Sequence, residues 1–173
     1  MRPEDSLHFF ELHPSDLALL SKHFAGEERA QPRVYVNGQD GFAALKSLLP
    51  PPTRRGLILI DPPYEDKQDY ARVLQALEEG LRRFATGTYA IWYPCLARHE
   101  SRELPKQLKR LPITDWLQVE LAIAGNDSTQ LVRSGMFVIN PPWVLKSTLQ
   151  HVMPELVSLL GLDHHAQYVL SHS

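Results

Sequence analysis

The sequence predicts an α/β fold built on a doubly wound, mostly parallel sheet. Short aliphatic runs alternate with segments of helical periodicity along the chain, which is the pattern of such folds. The run Leu57–Ile60 is apolar without interruption, as expected of a strand that is buried on both faces of a parallel sheet. Carboxylates follow directly after several of these runs, where open α/β sheets bind their ligands.

Length and composition favour one globular domain over residues 1–173. The chain is 43% apolar and 22% charged, which allows a substantial core. No apolar run approaches the length that spans a bilayer, and the first residues do not begin a signal peptide, so we expect a cytoplasmic protein that does not enter a membrane. A net charge of −2 argues against non-specific coating of nucleic acid and leaves room for a local basic surface.

Cysteine and histidine usage predicts no metal site. The chain contains one cysteine, Cys95, which excludes an internal disulfide and a cysteine-based zinc cluster, so we expect it to be a small core residue. The eight histidines are scattered, and His164 and His165 form the only adjacent pair. Adjacent residues on a loop seldom ligate the same ion, so they predict no ligand set.

The first predicted strand, residues 7–12, carries an acid near its end, Glu11. A helix with leucines at helical spacing follows and is expected to stop at Gly26. In doubly wound folds a carboxylate at a strand end can accept hydrogen bonds from a ribose diol, and Glu11 is placed for this role. An acid at a strand end is more often simply solvated, and this alternative stays open.

The second strand, residues 34–36, leads to Asp40, Gly41 and another helix. Asp40 has two candidate roles. It can cap the helix by accepting hydrogen bonds from the first amides, or it can bind the amino group of an adenine ring while Gly41 lets the backbone approach. Both roles use the same oxygens, so the sequence does not choose between them.

The third strand is followed by Asp61, Pro62, Pro63 and Tyr64. The prolines cannot continue a strand or a helix, so the strand ends at Asp61 and the chain leaves in a stiff turn. We therefore expect Asp61 at the carboxyl edge of the sheet. The alternative interpretation is a strand-ending turn in which Tyr64 is a core aromatic.

These four residues would suit chemistry on an exocyclic amine. The lone pair of adenine N6 is delocalised into the ring, so the nitrogen is a poor nucleophile until acceptors hold its hydrogens. Asp61 offers one acceptor, and the carbonyl of Pro62, aimed by fixed φ angles, offers a second. Tyr64 offers a flat face for a base that has left its stack.

A helix, residues 66–84, and a strand, residues 88–93, precede a helical stretch over residues 98–111 that has a basic side. We call this side the basic stripe, and its candidate phosphate contacts are Arg98, Arg102 and Lys106. Such a stripe is more often only a solvated helix surface, so phosphate contact is the less common of the two roles.

Two further strands, residues 119–123 and 136–139, flank a polar loop, residues 125–135, that we expect to be mobile and near a site. The second strand leads into Asn140-Pro141-Pro142-Trp143, which repeats the acceptor, the fixed carbonyl and the aromatic of the Asp61 turn. We interpret this copy as structural, because it follows a strand-loop-strand pair at the far edge of the sheet. The last predicted elements are a helix and a strand, at residues 145–160 and 167–171.

Six segments carry a family resemblance: Phe-Phe-Glu-Leu-His-Pro-Ser-Asp (9–16), Asp-Gly-Phe (40–42), Arg-Arg-Gly-Leu-Ile-Leu-Ile-Asp-Pro-Pro-Tyr-Glu (54–65), Arg-Phe-Ala-Thr-Gly (83–87), Trp-Tyr-Pro (92–94) and Ile-Asn-Pro-Pro-Trp (139–143). Together they resemble the ribosomal RNA large subunit methyltransferase J family. The resemblance runs along essentially the whole chain, and the segment at 54–65 is the most specific.

That family transfers a methyl group from S-adenosylmethionine to N6 of one adenine of 23S rRNA. The resemblance therefore implies S-adenosylmethionine as the cofactor and 23S rRNA as the partner of a chain that is expected to be a monomer. It implies that Asp61 is catalytic, accepting from N6 beside the cofactor. It also implies that Glu11 holds the ribose of the methyl donor, and that Asp40 and Gly41 meet its adenine ring.

The sheet of that family has seven strands, one of them antiparallel near the edge. Its first strand and a glycine-rich loop precede the strand that carries Glu11, whereas this chain begins with that second strand and contains no Gly-x-Gly. We therefore expect an N-terminally truncated domain of the S-adenosylmethionine-dependent methyltransferase type. The missing strand should leave apolar strand edges exposed beside Leu57–Ile60.

Two other functions stay open. The chain could be a non-catalytic nucleic-acid-binding fragment that has lost its donor site, with the basic stripe near Arg102 as its contact. It could also be directed at DNA, either as a DNA adenine methyltransferase or in DNA uptake and use, with which family members have been linked. RNA as the substrate rests on the family resemblance alone.

Overall fold

A computed structural model describes residues 2, 5–25, 33–125 and 131–173 of the chain. These residues form two compact units, Met1–Leu49 and Pro50–Ser173, and each unit is described by itself. The single domain expected over residues 1–173 therefore stays a prediction. The expected helix stop at Gly26, and residues 126–130 of the expected mobile loop, lie outside the described residues.

The first unit contains two strands and two helices in alternation. The strands pair in parallel, with Leu7 opposite Val34 and Phe10 opposite Asn37. The side-chain amide of Asn37 donates to the carbonyl oxygen of Phe9 at 3.1 Å, which ties the ends of the two strands together. The four elements are β1 (Leu7–Phe10), α1 (Pro14–Phe24), β2 (Val34–Asn37) and α2 (Gly41–Leu48).

The second unit is built on a five-stranded sheet with the strand order β3-β4-β6-β5-β7. Its longest helices, α3 and α5, carry apolar residues at spacings of three and four, as helices that pack on a sheet do. The elements are β3 (Leu57–Ile60), α3 (Gln68–Arg83), β4 (Thr88–Pro94), α4 (His99–Leu108), β5 (Trp116–Ala122), β6 (Arg133–Ile139), α5 (Leu145–Leu160) and β7 (Gln167–His172).

The five-stranded sheet is mixed: β3, β4 and β5 run in one direction and β6 and β7 in the other, so it has two antiparallel strands where the resemblance implied one near the edge. Only β3 and β4 pair in parallel, while β6 pairs antiparallel with both β4 and β5, and β7 pairs antiparallel with β5. The reason lies in the connections. Ten residues separate Ala122 from Arg133, which is shorter than the crossover that a parallel neighbour requires.

The core of the second unit lies under β4, β5 and β6. Alternate residues of β4 and β6 are buried, because successive side chains of a strand point to opposite faces of the sheet. From α3, the side chains of Val73 and Leu77 are also fully buried. The buried strand residues include Tyr89, Ile91, Leu117, Phe137 and Ile139.

The strand β3 is covered on one face only, contrary to the expectation that both faces are buried. Ile60 is buried, whereas Leu57 and Leu59 are 70% and 63% exposed. Within the described residues β3 also has a single neighbour, β4. Among the described residues, β3 therefore has an unpaired edge and an exposed apolar face.

None of the helices in the described part of the chain is both long enough and apolar enough to cross a bilayer.

Candidate active site

Asp61 lies where β3 ends at the carboxyl edge of the five-stranded sheet. Ile60 pairs with Ile91 of the parallel neighbour β4, so Asp61 stands beside the last residues of that strand. Asp61 is exposed, yet nearby protein atoms remove part of the water around its carboxylate, and this desolvation raises its pKa above the ordinary value. Its oxygens accept no hydrogen bond from any residue that the structure describes, so they are open to a ligand.

Residues 61–64, which we call the acceptor turn, end in an unusual backbone conformation. Tyr64 has a φ of 56°, in the left-handed region that disfavours aromatic residues. Holding a residue there costs about 1–3 kcal/mol and requires surroundings that over-determine the conformation. Pro62 and Pro63 fix the φ angles of the two residues before it, so the whole turn is stiff.

The side chain of Tyr64 supplies some of those surroundings. Its ring is 1% exposed, and its centroid lies 4.7 Å from that of Tyr70 and 6.2 Å from that of Trp92. Its hydroxyl donates to the carbonyl oxygen of Trp92 at 2.7 Å, and burial raises its pKa far above the ordinary value. In this packing the ring presents no open face, so stacking of a base on Tyr64 stays a prediction and requires the ring to move.

The loop before α4 and the first turn of that helix lie against the acceptor turn. Nη1 of the half-buried Arg98 donates to the carbonyl oxygen of Tyr64 at 3.1 Å. Oγ of Ser101 donates to the carbonyl oxygen of Pro94 at 2.6 Å and accepts from the amide of Leu96 at 2.9 Å. These bonds fix the start of α4 to the end of β4. The sequence gives little sign of the Arg98 contact, because it joins residues 34 positions apart.

The three predicted phosphate contacts differ in how far they are already engaged. Arg98 is bonded to the acceptor turn, and Nζ of Lys106 lies 2.7 Å from Oε1 of Glu103. Arg102 is exposed, and its side chain forms no ion pair with the residues that the structure describes. Arg102 is therefore the member of the basic stripe that is best placed to meet an external anion.

Glu11, Asp40 and Gly41 follow the ends of the paired strands β1 and β2 in the first unit. Oε1 of Glu11 accepts from the amide of His13 at 2.7 Å, and Oδ1 of Asp40 accepts from the amide of Phe42 at 2.9 Å as the N-cap of α2. The capping role considered for Asp40 is thus present. A Cβ on Gly41 would lie 3.2 Å from Cβ of Phe10, so glycine here lets α2 approach β1.

A polar cluster that the sequence did not predict lies beyond the end of β4. Nε2 of Gln118 donates to the hydroxyl of Tyr93 at 2.8 Å, and that hydroxyl donates to Oε1 of Glu120 at 3.0 Å. Arg133 pairs with Glu120 at 2.5 Å. Burial, and then the charge of Glu120, raise the pKa of the neighbouring Cys95 to about 12. The available signal was Glu120, a charged residue inside an otherwise apolar strand.

The second Pro-Pro segment lies at the opposite edge of the sheet. Because β6 runs antiparallel to β4, its end at Ile139 pairs with Tyr89 near the start of β4. Nδ2 of Asn140 donates to the carbonyl oxygens of Ala85 at 2.8 Å and Gly87 at 2.7 Å. Trp143 is 92% exposed. The amide of Asn140 thus closes a loop, as the structural interpretation requires.

A cavity of about 340 Å³ lies beside Asn140, at this edge and away from Asp61. It is lined by residues of α3 and of the segment after α4, among them Glu78, Arg82 and Thr114.

No group of three or more His, Cys, Asp or Glu side chains is arranged to hold a metal ion within the described ranges.

The fold and the site define an α/β protein with an exposed carboxylate, followed by two prolines, at the carboxyl edge of its sheet. A family model described as "Ribosomal RNA large subunit methyltransferase D, RlmJ" matches residues 1–170. The chain belongs to this family.

Relatives and a solved structure agree with this assignment. The chain is 47% identical over 161 residues to "Ribosomal RNA large subunit methyltransferase J" of Escherichia coli (strain K12) and 44% identical over 161 residues to the protein of the same name from Haemophilus influenzae (strain ATCC 51907 / DSM 11121 / KW20 / Rd). Each match covers 92% of this chain and 56% of the relative, so the chain spans little more than half the length of these proteins.

Among solved structures, a crystal structure of a protein from Legionella pneumophila str. Philadelphia 1 superposes with a TM-score of 0.86 at 31% identity. The match covers 99% of this chain and 62% of that protein.

Proposed function

We propose that this chain is the catalytic portion of an S-adenosylmethionine-dependent methyltransferase that modifies N6 of an adenine in 23S rRNA. Family membership supports the reaction class, and the names of the relatives support ribosomal RNA as the substrate. The observation that carries the proposal is the open carboxylate of Asp61, which stands beside a rigid proline carbonyl at the carboxyl edge of the sheet.

The acceptor turn activates the amine by accepting its hydrogens. Asp61 and the carbonyl of Pro62 each accept one N–H of the adenine amino group, which favours a tetrahedral nitrogen and frees its lone pair for attack. S-adenosylmethionine, when bound, would supply the methyl group, and the positive charge that develops on N6 as its lone pair attacks would face the carboxylate of Asp61. The surplus proton of N6 would then leave to solvent. Because the two acceptors are already in place, they need not reorganise during the reaction.

Tyr64 is proposed to stack on the adenine once the base has left its helix. In the structure its ring is enclosed by Tyr70 and Trp92, so substrate binding must open this packing. Such an opening would move the side chain of Tyr64 while Asp61 and the carbonyl of Pro62 stay in place.

The chemistry of Glu11 and Asp40 suits the methyl donor. S-adenosylmethionine, when bound, supplies an electrophilic methyl group on a sulfonium. Its ribose hydroxyls and adenine amino group are hydrogen-bond donors, and carboxylate oxygens are acceptors only. Oε1 of Glu11 is engaged with a backbone amide, but Oε2 accepts no bond from the described residues. We assign Glu11 to the ribose, and Asp40 with Gly41 to the adenine ring.

We further propose that the sheet of the full-length protein is of the doubly wound methyltransferase type. In that arrangement a further strand lies beside β3, where the described residues place none. The unpaired edge of β3 and the exposed side chains of Leu57 and Leu59 support this proposal. The basic stripe, led by Arg102, is the proposed contact for RNA phosphates, and we expect a monomer that works in the cytoplasm.

The decisive test is methylation by the full-length protein. Unmodified 23S rRNA and a DNA duplex of matched sequence are offered with isotopically labelled S-adenosylmethionine, and N6-methyladenine is measured by mass spectrometry. We expect label in the RNA alone. Label in DNA alone would show that the substrate is DNA and not RNA. Label in neither nucleic acid would favour the alternative of a non-catalytic nucleic-acid-binding module.

A second measurement addresses the chain of 173 residues itself. Calorimetric titration with S-adenosylmethionine shows whether this chain alone holds the methyl donor. Saturable binding would show that it does, and absence of binding would show that the donor site needs further parts of the protein.

A further inference from the structure

We propose that Arg98 is a positioning residue for the acceptor turn and not a contact for RNA phosphate. The proposal rests on the proposed function of that turn. It reassigns one member of the basic stripe from substrate binding to the support of Asp61.

The first observation is the hydrogen bond that Arg98 makes. Its side chain is half-buried, and Nη1 donates to the carbonyl oxygen of Tyr64 at 3.1 Å. A bond from a guanidinium is charge-assisted and stronger than one between neutral groups. A guanidinium that is partly buried and already bonded to the protein is poorly suited to a mobile phosphate. The exposed Arg102, about one helical turn further along, has no such engagement.

The second observation is that Tyr64 is held from three sides. Its carbonyl accepts from Arg98, its hydroxyl donates to the carbonyl of Trp92, and its ring packs against Tyr70. Arg98 is itself fixed, because it is the N-cap of α4 and Ser101 ties the first turn of that helix to the end of β4. A continuous set of contacts therefore joins the sheet, the start of α4 and the acceptor turn.

The third observation is the left-handed backbone of Tyr64, with a φ of 56°. Such a conformation persists only where the surroundings enforce it. If Arg98 is removed, Tyr64 can relax toward an extended conformation. Pro62 and Pro63 cannot absorb that rotation, because their φ angles are fixed, so the movement reaches the carboxylate of Asp61 and the carbonyl of Pro62.

The two roles of Arg98 predict different kinetics. A positioning residue affects the rate when RNA and methyl donor are saturating, because a small displacement of reacting groups is costly. A phosphate contact affects RNA affinity and its salt dependence. In the full-length protein we expect Arg98→Ala to lower the saturating single-turnover rate about tenfold to hundredfold, with RNA affinity and its salt dependence unchanged.

Three variants complete the comparison. Arg98→Lys keeps a donor and should recover part of the rate. Arg102→Ala should weaken RNA binding and reduce the salt slope by about one. Arg82→Ala, which removes an exposed arginine that pairs with Glu79 on α3, should change neither quantity and controls for loss of charge. If Arg98→Ala weakens RNA binding and leaves the saturating rate intact, the proposal is overturned.

A measurement independent of activity keeps the proposal testable if the proposed function fails. The ring of Tyr64 is enclosed by Tyr70 and Trp92, so its NMR signals in protein carrying ¹³C-labelled tyrosine are displaced by the neighbouring rings. Tyr64→Phe identifies these signals. We expect them to move toward the positions of an exposed tyrosine in Arg98→Ala, to move less in Arg98→Lys and to stay in place in Arg82→Ala. Unchanged Tyr64 signals in folded Arg98→Ala would refute the role.

Discussion

The two Pro-Pro segments of this protein share a sequence pattern and differ in almost every structural respect. Asp61-Pro62-Pro63-Tyr64 leaves the carboxyl edge of the sheet, whereas Asn140-Pro141-Pro142-Trp143 leaves the opposite edge. The polar group of Asp61 is open and that of Asn140 is bonded to two carbonyls. The aromatic group of Tyr64 is buried and that of Trp143 is exposed.

The difference shows that strand direction decides what such a segment can do. Each segment contains a residue with a left-handed backbone, Tyr64 in one and Asn140 in the other. In Asn140 the local chemistry satisfies this conformation, because asparagine tolerates it and its own side chain closes the loop. In Tyr64 the conformation is imposed by more distant parts of the fold, which leaves the carboxylate of Asp61 free. Six substitutions and one pH profile test the contrast.

The largest effect is expected at Asp61. Asp61→Ala removes the charged acceptor and should lower the methylation rate of the full-length protein about 10²–10³-fold, the usual effect of losing one group that stabilises developing charge. Unfolding by urea should be nearly unchanged, since the carboxylate has no partner among the described residues. Full activity in Asp61→Ala would contradict the catalytic role of this segment, and the Asp61 and Asn140 segments would then not differ in function.

The pH profile should follow the same carboxylate. Partial desolvation raises the pKa of Asp61, so the methylation rate should fall at a higher pH than the ordinary aspartate value of about 3.9 predicts. The contribution of Asp61 to stability has the opposite pH dependence. The folded state binds this proton more tightly than the unfolded state does, so lowering the pH through the pKa of Asp61 raises the free energy of unfolding. In Asp61→Asn, which cannot titrate, this acid limb should be absent from whatever activity remains.

At Asn140 we expect loss of stability instead of loss of chemistry. Asn140→Ala leaves the carbonyls of Ala85 and Gly87 without their donor and should lower the free energy of unfolding by about 2 kcal/mol. Asn140→Gly loses the same two hydrogen bonds but adopts the left-handed backbone without strain, so it measures the effect of the two bonds alone. Both variants should methylate normally at temperatures where they are folded, and a selective loss of activity would contradict the structural assignment.

The smallest effects concern the two aromatic residues. Tyr64→Phe removes the hydroxyl that donates to the carbonyl of Trp92 and should cost about 1 kcal/mol of unfolding free energy. Trp143→Ala removes an exposed ring and should change that quantity by less than about 0.5 kcal/mol. Urea unfolding measures both. A larger loss of unfolding free energy in Trp143→Ala than in Tyr64→Phe would contradict the assignment of Tyr64 as the packed ring and Trp143 as the exposed one.

Local sequence patterns were sufficient to predict every helix and strand that the structure describes, because apolar spacing and prolines mark them clearly. The pairing of the strands was not predictable in the same way. The position of β6 between β4 and β5 depends on contacts between residues far apart in the chain. Both faces of β3 were expected to be buried because its apolar run is uninterrupted, and no local pattern indicates that one face is exposed.

Within the candidate site, the position of Asp61 at the edge of the sheet followed directly from an apolar strand that ends at two prolines. The inward orientation of Tyr64 did not follow. It depends on the left-handed backbone and on the partners Trp92, Tyr70 and Arg98, which come from later segments of the chain. The sequence offered core packing as an alternative for Tyr64, and that alternative describes its present position.

The uncovered strand β3 has a practical consequence for work on the isolated chain. An unpaired strand edge next to exposed leucines can recruit the same edge of another molecule and so promote aggregation. The aggregated fraction of this chain should therefore rise steeply with protein concentration. Light scattering is then a necessary companion to every binding measurement made on it.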